Sequence, residues 1–400
     1  AGRAKVSEAA PRKVSEAVGK DDQRLTQAVV VQMSKTQAGS KLLQRKLLKG
    51  HPSVITDIID GIEGDLPDIM RNMYGNYLCS AAFQACSVAQ RLRMLEMTSK
   101  HLRAVATDKW GTHALQALIS LVCTSEEQSL LMPPLQEHVI ELSCDPNGAH
   151  VVQRALISFG SPCPDLLLQE VARCVTTVAH NPHGLCVLKK CITQSRCGVN
   201  QQRLLHEMSI HALELVQAPY GNYAVQHALE EWGGEICVPI IQALTGKFTQ
   251  LSIQKFSSNV IEDMLRLSPP EVQLRIMEEL TKPDQMQVLM STVYGHYVAK
   301  RILQAVPPER RSQLERGLSA SLKGPRSQRL RDKWESVLSG EQPDEAPFRE
   351  LREESAREEA EHVATAATAL PQSAARRRGP RARGRGAAAS LRSGPHNGGG

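Results

Sequence analysis

An all-α solenoid is the fold class this sequence predicts, and three observations predict it. A short phrase recurs along the chain, it recurs at a nearly constant step, and the residues after each copy carry helical apolar spacing. All six tyrosines fall as pairs inside the phrase: Tyr74 and Tyr77 in YGNYLCS, Tyr220 and Tyr223 in YGNYAVQ, Tyr294 and Tyr297 in YGHYVAK. Aligning on the residue before the second tyrosine recovers weaker copies: GSKLLQ at Ser40, GTHALQ at Thr112, GAHVVQ at Ala149, GLCVLK at Leu185 and SSNVIE at Ser258. With Asn76, Asn222 and His296 the series has eight members, separated by 36, 36, 37, 36, 37, 36 and 38 residues. Periods in this range are the signature of stacked helical repeats.

The sixth copy shows what one unit contains. In NYAVQHALE, Ala224, Val225, Ala228 and Leu229 form an apolar stripe, and Asn222, Gln226 and Glu230 share another face that is expected to be presented. APYG before it reads as a turn, and RLLHEMSIHALELVQ (residues 203–217) as one apolar-periodic helix before the turn. Each unit is therefore expected to hold two or more short helices, with the aligned residue near the start of the last large one. A unit this small cannot cover its own apolar face, so eight of them are expected to stack into a right-handed, curved array of ~36-residue repeats.

In chain order, residues 1–24 are polar, with Arg3, Lys5, Arg12, Lys13 and Lys20, and read as a flexible basic segment. The chain begins without Met, as expected of a fragment or a processed product. Residues 25–340 hold the eight repeats and their caps, the amphipathic QRLRDKWESVL (residues 328–338) shielding the last repeat. Residues 341–373 read as a charged, partly helical linker. Residues 374–400 read as a disordered Arg/Gly-rich tail able to neutralise phosphates weakly and without sequence preference.

A net charge of +6 permits a nucleic-acid partner without requiring one. No apolar run approaches the ~18 residues a membrane span needs, so a cytoplasmic chain is expected, with nuclear or nucleolar residence also open. The ten cysteines form no CxxC pair and are expected mostly as reduced core residues. No phosphate-cradling glycine loop, HExxH, GxSxG or acidic metal cluster is present, so neither catalysis nor a cofactor or metal is expected. His113 and His150 occupy the position of Tyr77, Tyr223 and Tyr297, which points to stacking rather than acid–base work.

Three positions at the start of each displayed helix are expected to face a groove: the aligned residue, the next, and the one four after the first. In repeat six these are Asn222, Tyr223 and Gln226, two amides suited to the edge of a planar base and a ring suited to its face. In repeat seven they are Ser258, Asn259 and Glu262, and an acceptor-only carboxylate suits the paired N–H donors of guanine.

On these motifs the chain resembles the Pumilio, or PUF, family of single-stranded RNA-binding proteins, over all eight repeats. The likeness is strongest in GNYAVQHALE (residues 221–230) and KFSSNVIEDML (residues 255–265). The resemblance implies that NYxxQ reads uracil and SNxxE guanine, with RNA running antiparallel and the last repeat at its 5′ end. Asn222, Tyr223 and Gln226 then read the second U of a UGU element, and Ser258, Asn259 and Glu262 its G. Elsewhere the family pattern loosens. Repeat one has Ser40, Lys41 and Gln44, close to an adenine pattern with Lys for Arg; repeat two has Asn76, Tyr77 and Ser80; repeat three has Thr112, His113 and Gln116. Repeat four has Ala149, His150 and Gln153, repeat five the divergent Leu185, Cys186 and Lys189, and repeat eight His296, Tyr297 and Lys300. The resemblance further implies a monomer that binds the 3′ untranslated regions of messenger RNA, regulates translation or decay, and meets protein co-regulators on its convex face. A nucleolar relative in ribosomal RNA processing and a peptide-binding scaffold of the HEAT or armadillo sort are the competing readings.

Overall fold

The computed structural model describes residues 26–292, 294–306, 308–322 and 328–339. The expectations for residues 1–24, 341–373 and 374–400 lie outside the described residues. Every described element is helical. Repeat one comprises α1 (Gln27–Ser34) and α2 (Gln37–Lys49); repeat two α3 (Pro52–Glu63), α4 (Leu66–Met70) and α5 (Gly75–Ala85); repeat three α6 (Val88–Ser99), α7 (Leu102–Ala106) and α8 (Gly111–Ile119). Repeat four has α9 (Ser125–Cys144) and α10 (Gly148–Ser158), repeat five α11 (Cys163–Arg173), α12 (Val175–Ala179) and α13 (Pro182–Gln194). Repeat six has α14 (Gly198–Ile210), α15 (Ala212–Gln217) and α16 (Gly221–Trp232), repeat seven α17 (Val238–Ala243), α18 (Phe248–Ser252) and α19 (Ser257–Leu267). Repeat eight has α20 (Pro270–Leu280), α21 (Pro283–Leu289) and α22 (Gly295–Ala305), followed by α23 (Pro308–Leu322) and the capping α24 (Gln328–Ser339), whose Trp334 is buried.

The helix expected over residues 203–217 is two helices, broken at His211. Six other repeats likewise place a short helix or a long helix end before the phrase. The last helices of the repeats pack in strict succession, α2 on α5, α5 on α8, and so on to α19 on α22, with α24 closing the row. The first helices form a second layer in the same order from α1 to α17. The apolar core is continuous between these layers, as expected of units that cannot bury their faces alone.

Six of the eight turns into a last helix are built alike. A polar residue three positions before the glycine accepts from its N–H: Asn72 Oδ1 at 3.1 Å from Gly75, Asp108 at 2.8 Å from Gly111, Asp145 at 2.7 Å from Gly148, Asn181 at 3.0 Å from Gly184. Thr36 and Thr292 do the same for Gly39 and Gly295. The glycine is required by a close approach. A Cβ at Gly221 would stand 2.7 Å from the Leu215 carbonyl oxygen, and one at Gly148 2.8 Å from that of Leu142, with the equivalent carbonyl facing the five other glycine-bearing copies. Repeat seven has Ser257 there instead, and its hydroxyl donates to that carbonyl, Leu251 O, at 2.7 Å.

One ion pair is buried between first-layer helices. Arg91 on α6 donates to Glu127 on α9 at 2.5 Å, and Glu127 also accepts from the N–H groups of Cys123 (2.9 Å) and Thr124 (3.0 Å). Burial opposes its charge, but these donors together hold its carboxyl down at about 2. The cysteines depart from expectation. None of the ten forms a disulfide, but only Cys79, Cys191 and Cys237 are buried, while Cys123 and Cys197 are exposed and the rest half-buried. Several sit at helix ends rather than on apolar stripes, which explains the difference.

Gly221→Ala should destabilise by about 1–3 kcal/mol in chemical denaturation, because the new methyl has no room; Gly317→Ala, which meets nothing within 4 Å in the middle of α23, should stabilise by roughly 0.5–1 kcal/mol. Glu127 titrates near 2 when folded against 4.5 otherwise. Its contribution is thus fully present above about pH 4.5 and is lost as pH falls toward 2. Glu127→Gln should cost about 3–5 kcal/mol at neutral pH by leaving Arg91 unpaired, and should flatten the acid limb of stability against pH.

Candidate nucleic-acid interface

The three motif positions are not equivalent in the structure. The first is buried in all eight repeats, with exposures between 1% and 8%, whether it is Ser40, Asn76, Thr112, Ala149, Leu185, Asn222, Ser258 or His296. The expectation had this position presented to a groove; little of it is exposed, and for the polar members the reason is that the turn uses them. Asn222 Nδ2 donates to the carbonyls of Ala218 (2.8 Å) and Pro219 (2.9 Å), and Asn76 Nδ2 to those of Asn72 and Met73. The shorter hydroxyls reach the next repeat instead: Ser40 Oγ donates to Tyr74 O at 2.8 Å, and Thr112 Oγ1 to Asn147 O at 3.0 Å. Asn76 and Asn222 therefore seal their own turns, whereas Ser40 and Thr112 tie neighbouring turns together.

The second position carries the accessible rings. Tyr77 is 50% exposed, His113 is exposed, and His150, Tyr223 and Tyr297 are half-buried. Tyr297 lies 3.8 Å, centroid to centroid, from the His296 ring. Lys41 is exposed, and Cys186 and Asn259 are half-buried and offer no ring.

The third position is aimed by the first. Gln226 Nε2 donates to Asn222 Oδ1 at 2.8 Å, Gln44 Nε2 to Ser40 Oγ at 2.9 Å, and Gln116 Nε2 to Thr112 Oγ1 at 3.1 Å. Gln226 is itself only 6% exposed, a departure from the expected presented stripe, and only Glu230 of that face is exposed. One amide N–H is committed within the helix, so each glutamine offers its carbonyl oxygen and its second N–H outward. Ser80 is not so aimed, because its hydroxyl donates to Asn76 O within its own helix at 3.0 Å. Gln153 follows Ala149, which has no group to hold it. Lys189 and Lys300 are half-buried.

Glu262 stands apart electrostatically. Burial pushes its carboxyl up to about 7, with Asp263 pushing the same way and Arg301, Lys300 and Arg266 opposing. Burial, then the Glu262 charge, also raises the Tyr297 phenol, so the two side chains share one environment.

Sequence reasoning missed the turn-capping series, Thr36, Asn72, Asp108, Asp145, Asn181 and Thr292, although it recurs at the same step as the motif. It also missed the residues that cover the turn aromatics. Lys109 Nζ lies 5.0 Å from the Trp110 ring and Lys255 Nζ 5.2 Å from that of Phe256, each three residues before the aligned position.

Comparison with known proteins places this arrangement. The profile of the Pumilio-family RNA binding repeat matches residues 30–63, 101–132, 138–172, 174–209, 211–245 and 247–281, together more than half of the chain. Pumilio homolog 12 of Arabidopsis thaliana is 31% identical over 278 residues, 68% of this chain and 46% of that protein. A Pumilio domain-containing protein of Schizosaccharomyces pombe is 30% identical over 285 residues, 71% of this chain and 42% of that protein. The chain thus spans about half the length of the curated relatives it matches. Among solved structures, the Puf4 RNA binding domain bound to the HO endonuclease RNA 3′ UTR recognition sequence aligns with a TM-score of 0.69 at 25% identity, over 76% of this chain and 97% of that one. The RNA-binding domain of yeast Puf5p bound to AAT2 RNA shares the fold, with a TM-score of 0.69 at 20% identity, over 78% of this chain and 96% of that one. The stacked repeats, the shared turn and the profile matches show that this chain belongs to the Pumilio family of RNA-binding repeat proteins.

Proposed function

We propose that the chain reads single-stranded RNA containing a UGU element, in 3′ untranslated regions of messenger RNA, and so regulates translation or decay. The observation that carries this reading is the contrast between neighbouring repeats six and seven. Gln226 is held by Asn222 so that a carbonyl oxygen and one N–H remain to match the N–H and a flanking acceptor of uracil. One repeat on, Glu262 offers a carboxylate that suits the adjacent N1–H and N2–H donors of guanine. Tyr223 and Tyr297 supply stacking faces on either side, worth about 1–3 kcal/mol per base and indifferent to its identity.

Specificity on this reading comes from the third position. A wrong base opposite Gln226 or Glu262 leaves a desolvated polar group unpaired, costing about 1–3 kcal/mol, or roughly 5- to 150-fold in affinity. Repeats one and three each keep an aimed glutamine, whereas repeats two, five and eight lack an amide there. The 3′ portion of the site is therefore permissive, and the strict positions are the G and the second U, opposite Glu262 and Gln226. Monomeric action, and protein co-regulators on the face away from the motif helices, complete the proposal.

Fluorescence anisotropy with UGUAUAUA RNA and with variants at each UGU base tests it. Tight binding that drops on changing the G or the second U is the expected result; equal weak binding to all, fading with salt, would instead indicate only phosphate attraction. Asn222→Ser with Gln226→Glu should convert repeat six from a uracil to a guanine reader, and an unchanged base preference would sink the assignment.

A further inference from the structure

The charge cluster at the junction of repeats seven and eight contains two groups that the rest of the fold does not use. Glu262 on α19 makes no hydrogen bond or ion pair among the described residues, although it is largely removed from water. On α22, which packs directly on α19, the Nε of Arg301 is buried with no hydrogen-bond partner; the one bond its side chain makes runs from Nη1 to Gln304 Oε1 at 3.0 Å. Of the neighbouring charges, Asp263 also has a buried oxygen, Oδ2. Asp263 accepts from Arg266 Nη2 at 2.7 Å and Nε at 3.2 Å, and Arg266 also reaches Glu230 of α16 at 3.7 Å. Lys300 and Tyr297 face Glu262 from α22 together with Arg301. A buried guanidinium N–H with no partner and a half-buried carboxylate with no hydrogen bond, on adjacent helices, are complementary.

We propose that Arg301 is a positioning residue for guanine recognition: its unpaired Nε–H is the counter-charge that holds Glu262 ionised when the guanine N1–H and N2–H donate to that carboxylate. This rests on the guanine reading of Glu262 given above. It also gives repeat eight a distinct role. Lys300, at the position where repeats one, three, four and six have glutamine, adds positive charge toward Glu262. The 5′ base is then held by the Tyr297 ring without selection of its edge.

The sign of the pH dependence follows. Guanine donors need the ionised carboxylate, and without RNA Glu262 titrates near 7. Affinity for UGUAUAUA should thus be level above about pH 8 and fall roughly tenfold per pH unit well below 7, while the UAUAUAUA variant shows no such limb. Removing Arg301 moves that limb to higher pH.

The test is anisotropy titration of the full chain, wild type and Arg301→Gln, with both RNAs from pH 6 to 9. The expected result is a loss of roughly 3- to 10-fold for the G-containing RNA at pH 7 that disappears by pH 9, no loss for the A variant, and rescue by Arg301→Lys. An equal loss on both RNAs, or one that persists unchanged at pH 9, would overturn the proposal by reducing Arg301 to a structural or phosphate contact. A wild type that does not distinguish G from A would instead overturn the guanine reading itself. Should Arg301→Gln fail to fold, Lys300→Gln carries the same test with a smaller shift in the same direction.

Discussion

The structure depends on one spatial constraint, the passage of the chain into each last helix beneath a carbonyl oxygen six residues back. At Gly221 and Gly148 that carbonyl lies within 3 Å of where a Cβ would stand, so a larger residue cannot enter without moving the backbone. The serine of repeat seven satisfies the constraint chemically, by donating to the carbonyl it would otherwise strike. Everything downstream takes its register from this turn. In six repeats a cap three residues earlier fixes the helix start; in all eight the residue after the turn is driven inward, and only then does the chain present a side chain outward.

Much of this was legible in the sequence. The eight-fold period, the all-helical class and the place of the motif at the start of a helix all follow from recurring residues at a constant step, because packing one unit on the next leaves no freedom in spacing. The burial of the first motif position was not legible. Asn222 at a helix start reads equally well as a displayed amide or as a group serving local carbonyls, and only the turn geometry decides between them. The burial of Gln226 was not legible for the same reason, since its partner is the side chain one helical turn earlier. The break at His211 inside an unbroken apolar pattern likewise reflects the layer change, which periodicity alone does not record.

Electrostatics adds what the pattern omits. Two acidic residues in this fold are both removed from water, yet they titrate on opposite sides of the ordinary carboxyl range. Glu127 has a guanidinium and two backbone N–H groups pointed at it and is held near 2, while Glu262 has like charge beside it, only through-space attraction to oppose burial, and rises to about 7. The first group is finished by the fold. The second is left with unused hydrogen-bonding capacity at the surface where ring-bearing positions line up.

The division of labour between motif positions bears on how such a chain can diverge. Turn glycine, cap and first position are bound to one another through the backbone, so changes there are felt as lost stability. The third position is held by the first-position side chain in repeats one, three and six only, and among the eight copies it is glutamine, serine, lysine or glutamate. Drift in a lineage can therefore accumulate at the tip of each helix while the scaffold stays intact, and a new preference can arise one repeat at a time, with the unaltered repeats keeping the molecule functional throughout.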